Sequence, residues 1–387
     1  MNLKLTTLLI VTTFLSISTF AQQSTTDGRQ GNTITTAVPF LLITPDARSG
    51  AMGDVGVAIS GDANATHWNP AKLAFMKDPY GFGLSYSPWL QKLVPDINLA
   101  YLNGYYKLDD RNVIGGSLRY FSLGNIQFVD VNQVKQGDFN PNELALDGTF
   151  ARSFGENFSL GTALRFIYSN LSGGASFSDQ QTRPGTAVAA DVSAFYTQKS
   201  GLFGKNADIA FGLNISNIGT KMSYTDGGPK FFLPTNLRLG GTTTIHADDF
   251  NDFSFSLDFN KLLVPTNPTR DVDGNIIAGK DPNRSVPAGI FGSFNDAPGG
   301  GAEELQEVNI STGLEYWYNQ QFAIRAGYFY EHPSKGNRQY LSLGLGLKYQ
   351  IVDLNFSYLL ANQQQSPLAN TLRFSLLFNF ADPNAKR

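Results

Sequence analysis

Cysteine is absent from this chain of 387 residues. Without a thiol there is no disulfide scaffold, no cysteine nucleophile, no thiolate zinc site and no lipidated N-terminal cysteine. Histidine is scarce, at three residues. Charge is scarce too: 16% of residues are charged, against roughly 25% in ordinary soluble domains. The 29 Lys and Arg do not outnumber the 32 Asp and Glu, so there is no basic excess to hold a nucleic acid. Beyond the first twenty residues there is no apolar run long enough for a membrane helix. What is plentiful is aromatic side chains, with 30 Phe and 16 Tyr, and glycine, with 39. Few charges, many aromatics and much glycine point to one large all-β body.

The first segment reads as an address. Lys4 supplies a positive start, and an apolar run follows from Leu5 to Phe20. Thr19-Phe20-Ala21 offers small residues at the positions a signal peptidase requires. Residues 1–21 are therefore expected to be a secretory signal peptide, too short for a comfortable membrane span.

From Tyr80 onward apolar and polar residues alternate. Phe253, Phe255, Leu257 and Phe259 interleave with Ser254, Ser256, Asp258 and Asn260; Leu341, Leu343, Leu345 and Leu347 interleave with Ser342, Gly344, Gly346 and Lys348. Period two places the apolar set on one face of a strand. The pattern predicts fourteen strands near 80–88, 96–107, 113–123, 143–154, 158–169, 186–198, 206–218, 235–247, 252–261, 307–318, 322–331, 340–349, 352–361 and 370–380. Most have the nine or more residues a tilted strand needs to cross a bilayer.

Three features separate a transmembrane barrel from a soluble sandwich. Arg119, Arg165, Asp191, Arg238, Asp258, Glu315, Arg325, Lys348, Asp353 and Arg373 all sit on the polar parity of their strands, as do Asp147 and Asp208. Arg152 is the exception, near a strand end where a long side chain can snorkel. An arginine facing lipid at mid-membrane would cost about 2–4 kcal/mol, so the sorting has a cause. Tyr80, Tyr86, Tyr105, Tyr120, Tyr168, Tyr196, Tyr318, Tyr330, Tyr349 and Tyr358 lie near strand ends, as interfacial girdles require. Long connections (124–142, 170–185, 219–234, 262–306) alternate with short turns (155–157, 248–251, 319–321, 350–351), which puts the long loops outside the cell and both termini in the periplasm. The expected fold is all-β: a fourteen-stranded antiparallel transmembrane β-barrel over residues 80–387.

Residues 22–79 do not alternate, and their apolar content needs somewhere to bury; the expectation is an N-terminal hatch, or plug, in the lumen. Asn69 followed by Pro70 is a helix-start signal. The near-balance of lumen charges suggests cross-strand pairs, Glu315 with Arg325 around the turn at Asn319-Gln320-Gln321, and Lys348 with Asp353 around Gln350-Ile351.

Chemistry is sparse. His246 and His332 fall at opposite ends of strands and cannot share a metal or a triad; with His67, each reads as a lone polar residue. Asp271-Val272-Asp273-Gly274-Asn275 has the first half of a calcium loop, but its sixth position is not Gly and its twelfth is Pro282. A solvated Asp-Gly turn is the better reading. No catalytic residue, cofactor or metal is expected. The long loops carry apolar residues instead: Trp89, Phe231, Phe232, Ile276, Ile277, Phe291 and Phe294. Apolar loops gathered on one face favour a surface for protein contact.

Asp62, Asn64 and the run Trp68-Asn69-Pro70-Ala71 ahead of such a barrel resemble the FadL-like outer-membrane transporters. Pro39-Phe40-Leu41-Leu42-Ile43, Pro45-Asp46-Ala47-Arg48 and Ala51-Met52-Gly53-Asp54 resemble, more specifically, the PorV family of the Bacteroidetes type IX secretion system, as does the stretch from Leu314-Glu315-Tyr316-Trp317 through Phe380. The resemblance implies a non-enzymatic role in the Gram-negative outer membrane. It implies binding the C-terminal signal domain of secreted cargo, receiving cargo from the translocon barrel and handing it to a sortase-like attachment complex. A FadL-like channel for hydrophobic small molecules is the alternative.

Overall fold

The computed structural model describes residues 31–90, 94, 96–129, 135–171, 176–177, 180–361 and 368–381. The leader expected over residues 1–21 lies outside them. Fourteen strands close an antiparallel barrel. They are β1 (Tyr80–Pro88), β2 (Ile97–Lys107), β3 (Asn112–Leu123), β4 (Asn142–Ser153), β5 (Phe158–Asn170), β6 (Gly185–Leu202) and β7 (Lys205–Gly219), then β8 (Asn236–His246), β9 (Asn251–Leu262), β10 (Val308–Tyr318), β11 (Phe322–Tyr330), β12 (Gln339–Tyr349), β13 (Val352–Ala361) and β14 (Leu372–Phe380). Each strand pairs with its neighbour in sequence, and β14 closes the ring on β1 in the register Tyr80↔Phe380 to Tyr86↔Phe374. These are the strands that the alternation predicts.

The alternation becomes two surfaces. Phe253, Phe255 and Phe259 of β9 and Leu341, Leu343, Leu345 and Leu347 of β12 are exposed on the outer wall, while Ser254, Ser256, Asp258 and Ser342 between them are buried inside. The apolar wall faces hydrocarbon, and closure leaves no unpaired strand edge to be satisfied there. Arg152 points outward, donating to Asn112 at 3.3 Å with its guanidinium 5.9 Å from the Phe154 ring. Tyr105 corrects the expected girdle: it is buried inside the barrel beside Ala63, Leu73 and Val113, and Tyr106 is the exposed residue. Two adjacent tyrosines near a strand end look alike in sequence, and only the parity of β2 decides which faces lipid.

One end of the barrel has tight turns. Asp109 accepts the amides of Arg111 and Asn112, both at 2.8 Å, and Asp248 accepts those of Phe250 and Asn251, both at 2.9 Å. Such Asx contacts fix short reversals.

Residues 32–79 run through the lumen. They contain a 3-10 turn (Pro39–Leu42), α1 (Ala47–Ala51), α2 (Ala65–Trp68) and a second 3-10 turn (Pro70–Phe75). Asp46 caps α1 by accepting the Ser49 amide at 2.8 Å, and its other oxygen accepts the Trp68 indole at 2.7 Å. Asn69 caps the second turn by accepting the Ala71 amide at 3.1 Å, where the Asn-Pro pair predicts a short helix. The turn stays short and tight because the wall takes up its polar groups: Ser193 of β6 accepts the Ala71 amide and Ser159 of β5 donates to the Ala71 carbonyl. Lumen-facing glycines let the two backbones meet. A Cβ on Gly327 would fall 2.0 Å from the Met52 carbonyl carbon, and one on Gly212 2.1 Å from the Val57 oxygen.

The termini, expected at the short-turn end, lie outside the described residues, but the segment from Asn32 starts at the other end. The Asn32 amide donates to Ser334 and the Ala37 amide to Phe232, both in connections at the long-loop end. Pro79 leaves at the opposite end, its carbonyl accepting the Lys107 amide at 2.8 Å. Strand parity carries no information on which way a non-alternating segment is threaded.

The long-loop end is built up. Two-stranded ribbons pair Ile126–Val129 with Lys135–Phe139 and Thr269–Arg270 with Ile276–Ala278. The longest connection also forms α3 (Val286–Gly292) and α4 (Gly301–Gln306).

Candidate functional site

The lumen binds its charges to one another. Glu315 and Arg325 are opposed in register, with Nε and Oε2 at 2.6 Å. The same carboxylate also holds Arg48 of α1 in a fork, at 3.0 and 2.8 Å. Arg165 of β5 bridges Asp147 at 2.5 Å and Asp191 at 3.0 Å. Buried charges are costly unless paired and hydrogen-bonded; the Arg48 pair ties hatch to wall, and the others tie wall strands to one another. Lys348 and Asp353 are also opposed in register, but no ion pair between them is found among the described residues. Asp353 accepts from Asn355 instead, at 2.8 Å.

The hatch motif is structural in its contacts. The Trp68 indole is buried under the Arg238 guanidinium, 4.6 Å from its ring, and the Trp68 carbonyl accepts from Asn214 of β7 at 3.1 Å. Asn69 donates to the carbonyls of Val57 and Ala194 at 2.9 and 3.0 Å. Pro70 and Ala71 are buried beside it. Above the motif, Val38, Phe40 and Leu41 pack with Leu99, Phe121 and Ile167 of the wall, so the apolar upper lumen is filled by the chain itself.

Each of the three histidines has a polar partner. His67 Nδ1 lies 2.6 Å from Arg119 Nη2. His246 lies 2.6 Å from Asp252 and 3.2 Å from Asp208. His332 lies 2.8 Å from the Ser334 hydroxyl. No group of three potential metal ligands occurs among the described residues. The Asp271 carboxylate accepts the amides of Asp273 at 3.0 Å and Asn275 at 2.8 Å, the arrangement of an Asx turn.

The apolar loop residues divide. Phe231, Ile276, Ile277, Phe291 and Phe294 are exposed, Phe291 to 80%. Phe232 is not: at 9% exposure it lies against Gly289 of α3, with the Lys221 ammonium 4.1 Å from its ring. Trp89 is half-buried at the mouth, packed on the upper-lumen cluster with the Arg373 guanidinium 5.7 Å from its ring. Val272 at the tip of the ribbon and Leu305 on α4 are exposed as well, and the sequence reading did not single them out.

The long connection is a folded unit held by buried ions. Lys261 at the end of β9 bonds Glu304 at 2.9 Å and Glu307 at 2.6 Å. Lys335 bonds Glu303 at 2.5 Å and Glu307 at 3.0 Å. Glu304 also accepts the amides of Asp296 and Ala297, at 2.6 and 2.9 Å. Burial opposes the charged form of Glu304, but the Ala297 amide and Lys261 outweigh it and hold the carboxyl below the usual carboxylate range. In Glu303 burial is likewise outweighed, by Lys335 and the Gly299 amide. The result is a stiff platform that presents apolar side chains to solvent at the long-loop end.

The model of the family described as "Type IX secretion system protein PorV" matches residues 25–269. No curated protein sequence matches the chain. Solved barrels are similar to it at low identity. One structure of the Pseudomonas putida toluene transporter TodX shares 12% identity over 90% of this chain and 98% of that one, with a TM-score of 0.49. The Ralstonia pickettii toluene transporter TbuX shares 11% over 87% and 98%, with a TM-score of 0.44. A Pseudomonas aeruginosa FadL homologue shares 12% over 90% and 100%, also with a TM-score of 0.44.

Proposed function

This chain belongs to the PorV family of the type IX secretion system, in the Gram-negative outer membrane, and from that premise we propose that it is a non-enzymatic carrier for secreted proteins. It binds the C-terminal signal domain of cargo at its extracellular face, takes that cargo from the translocon barrel and passes it to a sortase-like attachment complex. The observation that carries this reading is the loop platform. Phe291, Phe294, Ile276 and Ile277 are exposed together on one connection that buried ion pairs hold in shape. A loop held in shape by desolvated ions while its apolar side chains stay in water is arranged for a partner. The filled upper lumen supports a carrier over a conduit, because Val38, Phe40 and Leu41 occupy its apolar space.

The test is a pair of surface substitutions, Ile277→Asp and Phe291→Asp, in one chain. Both side chains are exposed, so the barrel should reach the outer membrane and remain heat-modifiable on gels. Secretion of cargo bearing the type IX signal should fall, with cargo accumulating in the periplasm. Normal secretion from a correctly assembled double variant would remove this platform from cargo binding. Normal secretion with altered uptake of a fatty-acid-like solute would favour the channel.

A further inference from the structure

The hatch is threaded from the long-loop end, and its first residues tie that end together. The Asn32 amide donates to the Ser334 carbonyl at 2.9 Å, in the connection after β11. The Asn32 side chain donates to the Asn267 carbonyl at 3.1 Å and to Glu303 at 2.9 Å, both in the connection after β9. The Asn267 side chain returns a bond to the Thr33 carbonyl at 3.3 Å. The Ala37 amide donates to the Phe232 carbonyl at 2.9 Å, in the connection before β8. Three separate loops are joined by one short stretch of chain. Below it the chain fills the lumen, with Phe40 and Leu41 buried and then α1 and α2 bonded to the wall. The strand ring is closed. A chain that stands above this plug at Asn32 cannot return through it.

We infer that the chain at Asn32 stands on the extracellular face, where residues 32–37 form a strap that fixes the three loops in their relative positions. The sequence suits such a passage, since residues 30–45 carry no charge and desolvating them as they enter the lumen costs no ion. The inference rests on the long loops being extracellular. It deepens the carrier reading: the loops the strap joins are those that present Phe231, Phe291 and Leu305.

The absence of cysteine allows single-cysteine variants of the full chain to be read without background. Thr33→Cys, Val272→Cys and Asp249→Cys are treated on intact cells with a membrane-impermeant maleimide, and again after the outer membrane is permeabilised. Thr33 and Val272 variants should label on intact cells and the Asp249 variant only after permeabilisation. Labelling at Val272 without labelling at Thr33 would overturn the strap while leaving the orientation in place. Labelling of the Asp249 variant but not the Val272 variant on intact cells would invert the barrel, and the inference would fall with it. The fixing role has its own measurement. Asn32→Ala deletes the side-chain bonds to Asn267 and Glu303, and cleavage of the long connection by external protease should rise by at least roughly fivefold, the worth of one of those two bonds alone. An unchanged rate, with the barrel still heat-modifiable, would deny the strap that role.

Discussion

Glu315 shows how far a register argument reaches. Its pairing with Arg325 could be read from the chain because a tight turn fixes which residues of two strands stand opposite. Arg48, which takes the other half of the same carboxylate, could not, because 267 positions separate the two and no periodicity connects a hatch helix to a strand. Register alone also failed for Lys348 and Asp353: opposed Cα atoms do not guarantee that a long side chain at a half-exposed rim meets its neighbour. The shared carboxylate has a consequence for mutagenesis. Glu315→Gln should destabilise the barrel by about 3–5 kcal/mol, since buried Arg325 loses its charged partner and Arg48 keeps only Asp62, and gel heat-modification should shift to lower temperature. The double reversal Glu315→Arg with Arg325→Glu should recover only part of the loss, because Arg48 then faces an arginine. Adding Arg48→Glu should recover more. Full recovery by the double reversal would show that Arg48 contributes nothing at this site.

At the scale of elements, the strands were legible and the connections were not. A strand in lipid is bound to a period of two by the cost of exposing a polar group to hydrocarbon, so β9 and β12 announce themselves. The segment from Lys261 to Glu307 follows no period. Its shape comes from ions brought together from Lys261, Glu303, Glu304, Glu307 and Lys335, and it draws Phe232 inward under α3 where an aromatic loop residue had suggested surface. These contacts imply a pH response of definite sign. The carboxyls of Glu303 and Glu304 lie below their ordinary value, which is about 4.3 in an unfolded chain. A depressed folded value stabilises fully above the unfolded one and loses that contribution as pH falls through the folded value. The platform should therefore keep its protease resistance from neutral pH down to about 5 and lose it below about 4, while the strand signal in circular dichroism persists. Loss of resistance between pH 7 and 5 would exclude these two carboxylates as its cause.

On the scale of the whole molecule, composition pointed to one large all-β body, and the parity of the charges, the tyrosines near strand ends and the alternating loop lengths separated a barrel from a soluble sandwich. The path of residues 32–79 through that barrel was invisible, since it depends on contacts with nearly every strand in turn. That path has a consequence for biogenesis. β1, which follows the hatch, pairs with β14, so the ring cannot seal until β14 is in place, and we expect it to seal around a cord already drawn through it. On that order Asn32 reaches the long-loop end before the seam zips. A short flexible peptide ahead of Gly31 should pass and leave assembly intact. A stably folded domain fused at the same point should leave the barrel unsealed, seen as loss of the heat-modifiable form and degradation of the chain. Normal assembly of such a fusion, with the domain found in the periplasm, would mean that the cord is never drawn through. The order expected for this topology is to thread first and then knot.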